Sequence, residues 1–260
     1  MPTRERRTRS PVGRPGQPRG DQYFLYDRGV TTASENPDKV ARKPQRRVLT
    51  DEVYEAVKAL LMDHEIQPGS RINIDGLARQ LDVSPTPVRE ALARLESDGL
   101  VGKRALVGYT ASPPIDEAAF DALFDLRLLL EPAAARWAAT RSDDPGVRVM
   151  RDVIATSPHV VSGDTYAAYR QFSNNDARFH DAIARASGNV LLAESLSRLH
   201  AHVHLYRLYF TSGVTAESHA EHEAIFEAIT SRDARRAERA MRAHLTNSRA
   251  RLKPAVHAAP

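Results

Sequence analysis

The sequence predicts a mainly α-helical protein: three helices closed by a two-stranded hairpin, then an antiparallel all-helical bundle. Three observations carry this expectation. Apolar residues recur at spacings of three and four through most of residues 49–252, strand-like alternation is confined to residues 100–109, and a Pro113-Pro114 pair separates the two regions. The domain boundaries follow as 1–46, 47–112 and 113–254.

Residues 1–46 mix Arg4, Arg6, Arg7, Arg9, Arg14 and Arg19 with Pro11, Pro15 and Pro18 and show no apolar period, so a disordered basic tail is expected. From Leu49 the pattern turns helical, with Thr50 placed to cap a helix carrying Val53, Tyr54, Val57, Leu60 and Leu61 on one face. Pro68-Gly69 stops it. A short second helix buries Ile74, Leu77, Ala78 and Leu81, Asp82-Val83 makes the turn, and Ser84 caps a third helix with Val88, Ala91, Leu92 and Leu95 inward. Gly99 closes that helix, and Leu100-Val101, Gly102-Lys103-Arg104, Gly108 and Tyr109 read as a hairpin. Beyond the prolines, helices are expected at about 116–140, 146–156, 163–187, 189–212, 216–230 and 233–252.

Composition narrows the function classes. The 260 residues contain no cysteine, which excludes disulfides and thiolate metal sites, and no apolar run long enough for a membrane span or secretory signal, so a cytoplasmic location is expected. The net charge is +4, but residues 1–47 hold 12 Lys and Arg against 5 Asp and Glu. That segment carries +7 and the remainder −3, so net charge alone says little about nucleic acid.

Three helices with a tight second turn and a hairpin form the plan of a winged helix-turn-helix, in which the third helix enters the major groove and its N-terminal residues reach base edges. Ser84, Thr86 and Arg89 occupy that end, and Arg94, Lys103 and Arg104 are further candidates for phosphate contact. The stretch Leu81–Val101 (LDVSPTPVREALARLESDGLV), above all Thr86–Leu92 with Leu95-Glu96 and Gly99-Leu100, resembles the recognition region of GntR-family regulators over residues 48–110. Pro85 and Asp75 depart from that pattern where arginine is common, so the resemblance does not carry an operator sequence with it.

The bundle carries a second signal. Asp176 and His180 lie four apart on one helix face with Phe179 and Ile183; His222 shares a stripe with Ile225, Phe226 and Ile229; His244 shares one with Ala237, Ala240, Met241 and Leu245. Burying these four polar groups separately is costly, and one divalent cation at their meeting point removes the cost. Three histidines and one aspartate suit zinc first, with nickel, manganese or iron fitting the same donors. The region 115–250 resembles the FCD ligand-binding domain of the FadR-type branch, through Leu126-Arg127, Leu130-Glu131, Asp176–His180, Ser187-Gly188-Asn189, Glu221–Ile225 and Ala240–Leu245. That resemblance implies a metal at Asp176, His180, His222 and His244.

Arg127 can grip an effector carboxylate or pair with Glu131 one turn away. Arg207 is a second effector candidate on position alone, and His200 and His204 share a face that can line a pocket or supply a ligand. The expectation is a non-enzymatic DNA-binding regulator, a repressor by the commoner family arrangement. It would be homodimeric on a pseudo-palindromic operator and respond to a small carboxylate. A metal-dependent hydrolase, a regulator with a purely structural metal and one that binds effectors without metal stay open as rivals.

Overall fold

The computed structural model describes residues 43–141, 144–159, 161, 163, 165–202, 204–205 and 215–258. Of the expected tail at 1–46, residues 1–42 lie outside the described residues, as does the segment 206–214 with Arg207, while residues 43–46 belong to the first helix.

The first helix, α1, runs Lys43–Met62, so it begins seven residues before the expected Thr50 cap. Thr50 is instead a buried mid-helix residue whose Oγ1 donates to Glu90 Oε2 at 3.0 Å. Helix α2 spans Ile74–Gln80, where the Asn73 side chain caps by accepting from the Gly76 amide at 2.9 Å. Asp82, at φ +52, turns the chain into α3, Pro85–Ser97, which has Ser84 at its N-cap position and Pro85 in its first turn.

Strands β1 (Val101–Arg104) and β2 (Gly108–Ala111) pair antiparallel with Val101 opposite Ala111 and Arg104 opposite Gly108. The approach to α2 adds a third edge, with Gly69 and Ile72 amides donating to the carbonyls of Ala111 and Tyr109, both at 2.9 Å.

The bundle follows: α4 Glu117–Arg141, α5 Asp144–Thr156, α6 Tyr166–Ala186, α7 Val190–Arg198, α8 Thr215–Thr230 and α9 Ala234–Ala258. Ion pairs fix α4 antiparallel to α9: Arg249 binds Asp121 and Asp125, Lys253 binds Glu117 and Asp121, and Arg136 meets Glu238 at the other end. On α4, Ala134, Ala135, Ala138 and Ala139 are buried in the bundle core, and side chains this small let neighbouring helices approach closely.

The helix expected across 189–212 is broken. His200 adopts φ +46, which ends α7, and helical geometry resumes at residues 201, 202, 204 and 205.

Two apolar cores result. One fills the bundle through Phe179, Ile183, Ile225, Ile229, Met241 and Leu245. The other joins Val57, Leu92, Leu95 and Leu100 of the N-terminal unit to Phe120, Phe124, Tyr166, Phe172, Leu205 and Leu252 of the bundle. Among the described residues no helix is long and apolar enough to cross a membrane.

Candidate metal centre and nucleic-acid interface

Helices α6, α8 and α9 each turn an apolar stripe inward and carry a polar group within it. Asp176 and His180 come from α6, His222 from α8 and His244 from α9, and all four are buried. One donor atom from each falls within 4.8 Å of the others, with Asp176 Oδ1 lying 3.4 Å from His222 Nε2 and 3.8 Å from His180 Nε2. The Phe179 ring stacks on His222 at 4.3 Å and fixes its plane.

Each of three ligand candidates is oriented from behind. His180 Nδ1–H donates to Glu131, whose other oxygen takes Arg127 Nε at 2.5 Å. His244 Nδ1–H donates to Glu221 at 2.8 Å, and Glu221 is itself held by Arg251 and Asn247. Asp176 Oδ2 accepts from His202 Nδ1 at 2.8 Å, leaving Oδ1 toward the histidines. With their Nδ1 protons given outward, His180 and His244 present Nε2 lone pairs to the centre.

Protonation states agree with this arrangement. Burial, and then the neighbouring His244, drives His222 well below the ordinary imidazole range, and burial lowers His180 too. Burial works against the Asp176 carboxylate, yet the hydrogen bond from His202 and the three surrounding imidazoles hold it well below its usual range. Glu221 is likewise pulled to about 2, against burial, by Arg251, His244 and Asn247. At Asp176, His180 and His222 the directions therefore favour an anionic oxygen and neutral imidazoles, the state metal binding requires.

The fit to a cation rests on two orphaned atoms: the buried Nε2 of His180 and of His222 make no hydrogen bond. A buried polar atom of this kind calls for a partner, and here both face the same point.

A cavity of about 230 Å³ opens on the His180 side of the centre, lined by Arg127, Glu131, His180, Ser197, His200 and His202. Arg127 borders it and gives its Nε to the buried Glu131, the i+4 partner visible in the sequence.

Residues 200, 202 and 204 face two ways. His202 meets Asp176, while His200 Nδ1 lies 4.0 Å from Asp98 Oδ1 and the His204 ring sits 3.3 Å from where a side chain on Gly99 would begin. Asp98 caps α3 and takes the Tyr54 hydroxyl at 2.5 Å. The shared face expected of His200 and His204 is present, but it turns toward α3.

At the other end of α3, Ser84, Thr86 and Arg89 are exposed, as are Lys103 and Arg104 on the hairpin. Arg94 is occupied differently: it pairs with Asp51 at 2.5 Å and stacks 4.2 Å from the Tyr54 ring centroid, so it ties α3 to α1.

Sequence reasoning missed Glu221, His202 and Arg251, and it read Glu131 only as a salt-bridge partner. The Arg127–Glu131 spacing was the one available signal, since the contacts of the others depend on how separate helices pack.

Residues 49–109 match the family of bacterial regulatory proteins, gntR family, and residues 122–247 match the FCD domain. The Nta operon transcriptional regulator of Aminobacter aminovorans is 32% identical over 148 residues, covering 57% of this chain and 68% of that protein. This chain belongs to the GntR family. It is a DNA-binding transcriptional regulator with an FCD domain, not an enzyme. The Uxu operon transcriptional regulator of Escherichia coli (strain K12) is 30% identical over 231 residues, covering 77% of this regulator and 85% of the relative. Among solved structures, E. coli McbR/YncC shares the fold, with a TM-score of 0.59 at 22% identity over 79% of this chain and 97% of that one.

Proposed function

We propose that this regulator is a cytoplasmic homodimeric repressor that holds a divalent metal at Asp176, His180, His222 and His244 and releases its operator when a small carboxylate binds. The observation that carries the reading is the pair of buried, unbonded Nε2 atoms converging on one carboxylate oxygen beside a cavity. Zinc is the first choice for the donor set, followed by nickel, manganese and iron. When bound, the cation supplies a Lewis-acidic centre with coordination positions left for an effector oxygen.

The surrounding charges support an anionic effector. Arg127 cancels Glu131 and Arg185 cancels the lining Asp181, so a divalent cation with the Asp176 carboxylate leaves one positive charge beside the cavity. The volume, about 230 Å³, suits a small acid. Arg127 orients the wall through Glu131 and is the side chain best placed to meet the effector there.

His200, His202 and His204 give occupancy a route to DNA. His200 and His202 line the cavity, while His200 and His204 touch the C-terminal end of the recognition helix α3 at Asp98 and Gly99. An effector that shifts this segment changes how α3 is held, and DNA affinity follows the effector's preference between the two arrangements. In the dimer, two recognition helices meet successive major grooves of a pseudo-palindrome, reading through Ser84, Thr86 and Arg89 with Lys103 and Arg104 on phosphates. The reader corresponds to residues 47–112 and the sensor to 113–254.

The test is selection of genomic fragments on the purified protein, followed by titration of the enriched duplex in chelator, in zinc, and in zinc with a panel of small acids. Enrichment of a pseudo-palindrome whose affinity drops with one acid only when metal is present supports the reading. Affinity that follows metal and ignores every acid replaces it with metal sensing, and indifference to metal removes the metal from it.

A further inference from the structure

The hairpin tip breaks two local rules at once. Leu106 is 105% exposed, touching nothing of its own chain's core, and its backbone sits at φ +64. Glycine or asparagine normally occupies such a left-handed turn position, because a branched side chain there is crowded against its own backbone. A residue both strained and exposed, with no gain inside the fold, marks a place where function sets the choice.

Its surroundings narrow the partner. Val101, Tyr109 and Ala111 are buried and anchor the hairpin base, so the strands carry the tip outward by roughly 10 Å at about 3.3 Å per residue. The Val107 amide closes the turn onto the Arg104 carbonyl at 3.2 Å, which leaves Leu106 at the apex. Lys103 and Arg104 flank it in the open, Ala105 and Val107 are exposed beside it, and no acidic residue occurs from Gly99 to Ile115. An apolar point with cations behind it complements a groove walled by phosphates and floored by sugars and base edges. The minor groove, about 6 Å wide, admits one leucine side chain.

We propose that Leu106 is a minor-groove wedge: Lys103 and Arg104 grip the phosphates on either side while the leucine enters the groove beside the half-site and opens a flexible base step. Apolar side chains used in this way partly unstack a step and bend the duplex, so they favour pyrimidine–purine steps that deform easily. The wedge contributes specificity at positions where the protein makes no base hydrogen bond. It rests on DNA binding by the family and is independent of the metal centre.

The experiment uses the full chain and a random 40-bp duplex library. Wild type is expected to enrich half-sites flanked by TA or CA/TG steps, and the enriched duplex is expected to migrate as bent in circular-permutation electrophoresis. Leu106→Gly, which relieves the left-handed strain, should keep or raise the melting temperature. It should also weaken binding about tenfold, remove the bend and flatten the preference for flexible steps, while leaving the salt slope unchanged. Lys103→Ala should do the converse, retaining the step preference and lowering the slope by about one phosphate contact. A Leu106→Gly protein that binds and bends as wild type does overturns the proposal. So does loss of binding that tracks a change in oligomeric state by light scattering, which would place Leu106 in a contact between copies. Failure of wild type to enrich any flanking step likewise overturns it.

Discussion

Replacing His222 with leucine should make the order of stability between variant and wild type depend on metal, the variant equal or ahead without it and behind with it. In the metal-free state His222 Nε2 is buried without a hydrogen bond, and His180 Nε2 shares that condition beside it. Such an atom costs about 1–3 kcal/mol. Leucine has a similar size, stays apolar against Phe179, and gives up a ring stack at 4.3 Å worth about 0.5–1.5 kcal/mol. The metal-free variant should therefore match wild type or exceed it by about 1 kcal/mol, a rise of about 2–4 °C for a chain of this size. Metal at a hundredfold excess over its dissociation constant stabilises wild type by about 2.7 kcal/mol, which corresponds to about 5–11 °C. The variant, left with three ligands, should gain much less. Differential scanning calorimetry after dialysis against chelator, and again with zinc, nickel or manganese added, reads both arms. If wild type ignores every metal, and the variant melts lower by the same amount in both states, His222 is a packing residue and the cation site is wrong.

Three further outcomes are expected. Arg127→Met leaves the buried Glu131 carboxylate with His180 as its partner and without its cation, in a pair that is 2% and 5% exposed, so urea melts should show a loss of about 3 kcal/mol. The double variant Arg127→Met, Glu131→Leu should recover only part of it, because the buried His180 Nδ1–H then loses its acceptor. Gly99→Ala and Gly69→Ala place the same left-handed strain at φ +77 and φ +76, but only the former drives a Cβ to 3.3 Å from His204. Both should lose about 1–2 kcal/mol, while only Gly99→Ala should narrow the ratio of operator affinities, in zinc, with and without the acid that releases the wild type. Burial, and then the hydrogen bond to Asp98, raises the Tyr54 phenol above its ordinary value near 10. The raised direction means its contribution is full below pH 10 and lost as pH rises beyond it, so Tyr54→Phe should be less stable at pH 8 and fall less steeply between pH 9.5 and 11.

Much of the centre was legible because it obeys helix geometry. Asp176 and His180 share a face by their spacing, and His222 and His244 each interrupt an apolar stripe, so inward direction followed from periodicity. The groups behind them were hidden for a different reason. Glu221 faces His244 only because α8 and α9 pack side by side, and no pattern within either helix encodes that. His202 was hidden by the break at His200: an unbroken helix gives no cause to single it out, whereas a left-handed residue redirects the segment so that His202 reaches Asp176. The start of α1 was missed because Lys43–Arg47 has no apolar residues to carry a period, and Thr50 then looked like a cap.

The apolar cluster that runs from Leu92 and Leu95 into Phe120, Phe124 and Leu252 also bears on how the molecule can be taken apart. A reader cut after Pro113 would surrender the aromatic residues that cover its underside and display a greasy patch to other copies. Grafting this sensor onto a foreign reader faces the mirror problem, since Phe120 and Phe124 would meet side chains never shaped for them. A workable chimaera would have to bring the opening turns of α4 and the final turns of α9 with the reader, placing the seam inside the bundle and away from the prolines.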